Sequence, residues 1–399
     1  MPARRPKSAR TSGPRAERSL LPEAEIPLGD QRFLRAKTRP IFNHRRSFRV
    51  VDLFAGCGGI SVGVEQAAAS HGMKLDIALA VEIDPVVRAV FQTNFPGALV
   101  DDVGDVTLLI DGRGDDILTI AERRARKRTG QVDLVVGGPP CQGNSNLNNH
   151  TRAADERNAL YRRMARAAKV FEPACIAIEN VPGVVRDQGR VVDETCNDLM
   201  RMGYRVDHGI VDLLHLGVPQ SRVRHLMLAH RDRQPSVENL HLDHLCFERT
   251  LEWAIRDLER CSSNTLFDTA TQLSPDNVVR AEWLIAHDEY DLPNERRPKC
   301  HRDKPDHRYK SMYGRLAWSK PAQTITTGFL SPGQGRYLHP SAPRVLTPHE
   351  AARIQFFPDW FRFDAANSRR ALAHCIGNAV PPKLGYALGR ELLREGDSS

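Results

Sequence analysis

Val50-Val51-Asp52-Leu53-Phe54-Ala55-Gly56-Cys57-Gly58-Gly59 reads as an apolar strand entering a glycine-rich turn, and the residues from Ile60 onward read as a helix. Glycine lets a backbone turn tightly and approach a ligand closely. The glycines fall at 56, 58, 59 and 63, with Ser61 where a dinucleotide fingerprint needs its third glycine. The spacing therefore predicts a Rossmann-like site that lacks the pyrophosphate cradle, and it disfavours an NAD-dependent oxidoreductase. Taken alone, the glycines would also fit a strand–helix turn that binds nothing.

Outward from this stretch, apolar runs rich in Val, Ile and Leu recur at 50–54, 77–83, 132–136, 174–178 and 223–229. Helix-like stretches at 60–70, 85–94 and 189–202 alternate with them. Continuous apolar runs of this length are the mark of buried parallel strands. A doubly wound α/β domain is expected, with its sites at the carboxyl ends of the strands. The rhythm is lost after Arg231. Residues 295–315 hold eight Lys/Arg against three acids, together with Tyr309 and Tyr313. Four parts are predicted: a basic flexible extension over 1–47, an α/β domain over 48–231, a smaller domain over 232–371, and a segment over 372–399 that returns to the first domain as a loop and a helix.

The 399 residues give room for two or three ordinary domains, and 41% hydrophobic content excludes a wholly disordered chain. No run of 18 apolar residues is present, so no segment reads as a bilayer span, and the N-terminus has no apolar core of a secretory signal. Eight cysteines without a C-x-x-C pair suggest reduced thiols and a cytoplasmic location. The net charge of +8 sits in the tail: residues 1–49 carry 13 Lys/Arg against 4 Asp/Glu, and the rest is nearly balanced. Such an arm suits a polyanionic partner through counterion release, or is simply solvated. Pro2, Pro6, Pro14 and Pro22 argue against a helical presequence.

The candidate site residues follow the strands. Glu82 ends the second strand, where an acid commonly accepts hydrogen bonds from ribose hydroxyls. Asp105 follows a third short strand and could hold an exocyclic amine. Gly137-Gly-Pro-Pro-Cys141-Gln-Gly143 fixes a cysteine in a stiff loop at a strand's carboxyl end. A thiolate there would be a strong nucleophile. Glu179 closes the next strand; a carboxyl near a thiol can protonate or hydrogen-bond a heteroaromatic ring nitrogen, and read singly it fits a helix cap or turn acid equally well. Arg222 and Arg224 alternate at a strand start and share one face, a placement suited to a phosphate or a carbonyl oxygen. His241, His244, Cys246, Cys300 and His301 match no usual zinc spacing, so no metal is expected.

These residues carry a resemblance. Asp52-Leu-Phe-Ala-Gly-Cys-Gly-Gly59, Gly138-Pro-Pro-Cys-Gln142, Glu179-Asn-Val181 and Gln220-x-Arg-x-Arg224 stand in one order. Arg315 to Thr326, Leu346 to Gln355 and Gly377-Asn-Ala-Val-Pro-Pro382 follow them. The set resembles the cytosine-C5 DNA methyltransferase family of bacterial restriction-modification systems, over roughly residues 48–393. The resemblance implies a Rossmann-like, S-adenosylmethionine-dependent methyltransferase domain with a smaller target-recognition domain at 232–371. S-adenosyl-L-methionine would be the cofactor and a cytosine flipped from duplex DNA the substrate.

Carried over residue by residue, Phe54, Gly56, Gly58 and Ile60 would line the methionine and adenine region. Glu82 would bind ribose, Ile83 would pack on adenine, and Asp105 with Val106 would take the adenine edge. Pro139 and the Asn378-Ala379 backbone would complete that pocket. Cys141 would be the nucleophile, Glu179 the partner of cytosine N3, and Arg224 the contact to O2. Arg222 would meet a phosphate or the catalytic loop, and Asn144 to Tyr161 would be the mobile loop over the base. Gln142, Ser145, Arg296, Arg297, Arg302, Lys304, Arg308 and Lys310 would touch DNA. A monomer is expected, with a companion restriction endonuclease or defence-system proteins as possible partners. Asn144 departs from the family's bulky apolar residue, and the basic tail lies outside the family core. An RNA cytosine methyltransferase on the same fold and a catalytically silent DNA-binding regulator are the competing expectations. The size of 232–313 favours DNA over RNA, and the intact Cys141, Glu179 and arginine pair speak against a silent protein.

Overall fold

The computed structural model describes residues 28–140, 158–186, 190–244, 246–260, 263–302 and 311–394. Cys141, Gln142, Ser145, Lys304, Arg308 and Lys310 lie outside the described residues, as does most of the 144–161 stretch.

A short helix, α1 (Leu28–Leu34), precedes the alternation of β1 (Arg46–Leu53), α2 (Gly59–Ser70), β2 (Met73–Val81) and α3 (Pro85–Asn94). Then come α4 (Val106–Leu109), α5 (Ile120–Thr129), β3 (Leu134–Gly137), α6 (Asn158–Phe171), β4 (Cys175–Asn180) and α7 (Val191–Arg201). The strands β5 (Arg205–Asp212), β6 (Gln220–Ser221) and β7 (Val223–His230) complete the first part. Beyond them lie α8 (Val237–Asp243), α9 (Leu251–Ile255), α10 (Pro275–Ala286), α11 (Lys299–Arg302), β8 (Ala322–Gln323), α12 (Pro348–Ile354), α13 (Arg369–Asn378) and α14 (Pro382–Leu392).

Six strands form one sheet in the order β2-β1-β3-β4-β7-β5. The pairs β2/β1, β1/β3 and β3/β4 are parallel, as the apolar runs predict. The fifth run is a correction: β7 lies antiparallel to both β4 and β5. An apolar run reports burial and not direction, so this reversal had no local signal. The edge strand β5 is half exposed along most of its length, and it therefore has no apolar run to announce it.

Alternation along the strands divides the core into two faces. Val50, Leu134, Val136 and Ala177 join one apolar cluster with α2 and α14, while Val51, Val135, Ile176 and Ile178 join another with α6 and α7. The first cluster continues without a break into Leu251, Ile325, Phe357 and Phe361. A separate small cluster of Ala281, Leu284, Leu292, Leu338 and Val345 sits within the later part.

Two terminal expectations change. The 1–47 stretch is not uniformly free, since α1 buries Leu34 and Arg39 pairs with Glu65 at 2.8 Å. Asp30 receives Lys383 Nζ at 2.8 Å and stands 2.7 Å from Arg249. An apolar residue and an acid inside a basic tail give that helix a reason to dock. At the other end, the chain around Cys375 is helix α13 rather than loop. From there α14 packs along α2 so closely that a Cβ on Gly63 would lie 2.0 Å from the Pro382 carbonyl oxygen.

Candidate functional site

The carboxyl ends of β1, β2, β3 and β4 open into a single cavity of about 720 Å³. Phe54, Gly56, Glu82, Ile83, Asp105, Val106 and Pro139 line it, together with Glu179, Arg222, Arg224 and Asn378. Residues scattered over the whole chain are thus gathered by the strand ends and by the start of β7. Because β7 runs antiparallel to β4, its first residues return to the level where β4 finishes, and Asn180 pairs with His225.

At one end of the cavity, Phe54 holds a φ of 60°, unusual for a bulky residue and of the kind concentrated at functional sites. Gly56 follows with φ 56°, where an L side chain would be strained, and its N–H donates to Glu82 Oε2 at 2.9 Å. Glu82 Oε1 accepts from the Asp84 N–H at 2.9 Å. These bonds fix the carboxylate at the cavity wall, and burial pushes its pKa up despite them. Ile83 beside it is 68% exposed, an apolar side chain without cover. Asp105 caps α4, accepting the Thr107 N–H at 2.8 Å and its hydroxyl at 2.7 Å, both on Oδ1.

At the other end, Glu179 Oε1 stands 2.6 Å from Arg224 Nε, with both side chains largely buried. Asn180 donates its side-chain N–H to the Pro139 carbonyl at 3.1 Å, which ties the β3 loop to β4. Pro140, the residue before Cys141 in the chain, lines the same cavity.

Arg222 departs from its expected place at a phosphate or a loop. It is 3% exposed and donates to the Ile325 carbonyl at 3.1 Å and the Ala379 carbonyl at 3.0 Å. Burial, with the charge of Arg224 second, drives its pKa well below the usual guanidinium range. Its work is to hold the Asn378-Ala379 turn against the sheet. Gly58, Ile60 and Ala379 do not line the cavity: Ile60 is buried beneath α14, and Ala379 offers its carbonyl to Arg222. Nor do Arg296, Arg297 and Arg302. Arg296 lies over the Trp283 ring, 4.8 Å from its centroid, and Arg297 Nε donates to the Leu292 carbonyl at 2.9 Å. Arg302 is exposed.

Several lining residues have no role from the sequence, among them Asp84, Asn180 and His374, while Leu160 belongs to the stretch expected to form the loop over the base. Asn180 stands within the quoted Glu179-Asn-Val181 motif, which was its signal. His374 Nδ1 reaches Asp84 Oδ2 at 3.3 Å across the gap between α13 and α3, and no local pattern marks that pair.

The acceptor set suits a nucleoside. Two fixed carboxylates can accept from hydroxyls and an amine, and an exposed apolar side chain between them can pack on a flat ring.

The family model described as C-5 cytosine-specific DNA methylase matches residues 48–394. The chain is 40% identical over 369 residues to the type II methyltransferase M1.BsuMI of Bacillus subtilis, covering 92% of this chain and 86% of that one. It is 30% identical to M.XorII of Xanthomonas oryzae, covering 86% and 84%. Among solved structures, the Schizosaccharomyces pombe Dnmt2 methyltransferase superposes with a TM-score of 0.57 at 18% identity, over 86% of this chain and 98% of that one. The Entamoeba histolytica methyltransferase EhMeth gives 0.58 at 17%, over 88% and 100%. Those two show the fold. With a family model spanning nearly all the described sheet and cavity, this chain belongs to the C-5 cytosine-specific DNA methylases.

Proposed function

We propose that the protein methylates C5 of a cytosine extruded from duplex DNA at a specific short sequence. The single observation that carries this reading is the contact between Glu179 and Arg224 in the cavity that Pro140 borders. Glu82, Ile83 and Asp105, with Phe54, Gly56, Val106, Pro139 and Asn378 around them, would hold S-adenosylmethionine, which would supply an electrophilic methyl carbon. The chain's own residues do the rest. The Cys141 thiolate adds to C6 of the ring. Glu179 holds N3, by a hydrogen bond or a proton, and Arg224 holds O2, so that electron density reaches C5. C5 would then take the methyl carbon as the bond from that carbon to the sulfonium sulfur breaks, with S-adenosylhomocysteine as the leaving group. Loss of the C5 proton to a base and departure of the thiolate from C6 restore the aromatic ring. C6 is hidden in a base stack, which is why the base must leave the duplex.

Residues 232–371 would serve as the target-recognition part, with Arg296, Arg297 and Arg302 and the basic residues 304, 308 and 310 on its DNA side. A cytoplasmic monomer working beside a restriction endonuclease or other defence proteins fits the type II relatives. Bisulfite sequencing of plasmid DNA from cells expressing the wild type or Cys141→Ala tests the reading. Protected cytosines in one motif, seen only with the wild type, are expected. Their absence from DNA, with protected cytosines in RNA instead, would overturn the substrate assignment.

A further inference from the structure

The helix α6 grips its neighbour with one face. Arg163, Arg166 and Lys169 recur every third residue, so their side chains lie together. All three donate to backbone carbonyls of the irregular segment between α4 and α5. Arg163 Nη1 reaches the carbonyls of Ile110 at 2.8 Å and Gly112 at 2.7 Å. Arg166 bonds Glu122 at 2.6 Å and the carbonyls of Gly114 at 2.9 Å and Asp116 at 2.7 Å. Lys169 Nζ reaches the Asp115 carbonyl at 2.5 Å. Backbone carbonyls outside regular structure need donors, so a structural role accounts for Arg166 and Lys169. Arg163 satisfies carbonyls in the same way, and its link also falls between two walls of the cavity.

Arg163 joins two walls of the cavity through Ile110. The Ile110 N–H donates to the Val106 carbonyl at 2.8 Å, and Val106 lines the cavity beside Asp105. The Ile110 carbonyl in turn accepts from Arg163, one helical turn beyond Leu160, which lines the cavity beside Pro139 and Pro140. Both ends of this link rest on rigid parts, since Ile110 is fully buried and the pair of Arg166 and Glu122 is buried with it. Arg163 itself is only partly buried, so it can be changed without opening the core.

We propose that Arg163 is a positioning residue for methyl transfer. It ties the Leu160 wall to the Asp105–Val106 corner, so that occupancy of the corner and engagement of DNA at the Leu160 end strengthen one another. The proposal rests on the reading of the cavity given above, with the cofactor at the corner and the base at the Pro139–Leu160 end. Two sites that share such a link must respond reciprocally, each ligand raising the affinity of the other by one factor.

The test measures that factor with S-adenosylhomocysteine as the corner probe and a duplex carrying the target sequence. Affinities for each ligand are taken alone and in the presence of the other, for the wild type, Arg163→Met and Arg163→Lys. The methionine keeps the aliphatic stem and removes the donors. In the wild type, saturating S-adenosylhomocysteine is expected to tighten duplex binding by about tenfold, a coupling of about 1.4 kcal/mol. In Arg163→Met the factor should fall below about twofold, while each ligand alone binds within about twofold of wild type and kcat falls more than KM rises. Arg163→Lys, which can still donate, should recover most of it. An unchanged factor in Arg163→Met, or a wild type with no coupling, would overturn the proposal. So would an equal loss in both single-ligand affinities, which marks a merely structural residue. A wild type that binds neither ligand would instead sink the functional reading beneath it.

Discussion

Arg224 Nε stands 2.6 Å from Glu179 Oε1 at the floor of the cavity, because the antiparallel β7 starts where β4 ends. Cleaving that pair isolates its contribution. Glu179→Gln keeps the shape and leaves Arg224 without a carboxylate beside it. Single-turnover methyl transfer should fall by about 10²–10⁴-fold, the usual worth of a positioned acid or base. Cofactor binding, measured by calorimetry, should change by less than about threefold, since Glu82 and Asp105 lie at the other end.

Arg222 tests the turn it holds. Arg222→Met leaves the Ile325 carbonyl without that donor, while the Ala379 carbonyl keeps Gln355 Nε2 at 3.4 Å, and an unmet buried acceptor costs about 1–3 kcal/mol. A lower Tm is expected, with weaker S-adenosylhomocysteine binding because Asn378 borders the cavity.

Asp52 gives a pH signature. Burial pushes its carboxyl up to about 7, against the hydrogen bond from Ser61 Oγ at 2.6 Å and with help from Glu82. The native chain therefore keeps a proton that the unfolded chain, with its carboxyl at 3.8, has released. Stability falls as pH rises through the interval from about 4 to about 7, and the full penalty stands above it. Asp52→Asn removes the titration. Urea unfolding between pH 5 and 8 should show a flatter profile for the variant, with the two curves diverging by on the order of 2–4 kcal/mol. Parallel curves would refute a raised Asp52.

Gly63→Ala tests the approach of α2 to α14. The added Cβ would meet the Pro382 carbonyl oxygen at 2.0 Å and the Tyr386 nitrogen at 2.3 Å, both backbone atoms that cannot turn aside. A loss of about 3 kcal/mol or more is expected in denaturant unfolding, at the upper end for overpacking.

Deleting residues 1–45 should lower Tm well below that of a chain cut after residue 27. The longer cut removes buried Leu34 and takes Asp30 from Arg249, whose side chain is 2% exposed. Stranding a buried charge costs about 3–5 kcal/mol. Salt dependence of DNA binding, compared between the two cuts, assigns any electrostatic steering to the first 27 residues or to the docked helix.

Local chemistry made much of this protein legible from its sequence. The run from Val50 to Leu53, the glycines after Phe54, and the acids at Glu82 and Asp105 act through neighbours in the chain, so their pattern announces a strand, a turn and a cavity-facing edge. The same holds for Gly138 to Pro140 and for Glu179, each placed at a strand end by its own burial pattern.

What the sequence left open depends on partners distant in the chain. The direction of β7 goes with its antiparallel pairing to β5 and β4, and apolar burial is the same either way. The fate of Arg222 is decided by the carbonyls of Ile325 and Ala379, and that of Asp30 by Arg249 and Lys383. An arginine or an aspartate reads alike at a surface, in a cavity or under a helix, because its meaning lies in the atoms that meet it. Only the tertiary structure brings those atoms together, and it is long-range packing that turns two cavity-lining arginines of one short motif into a partner of Glu179 and a buried strut.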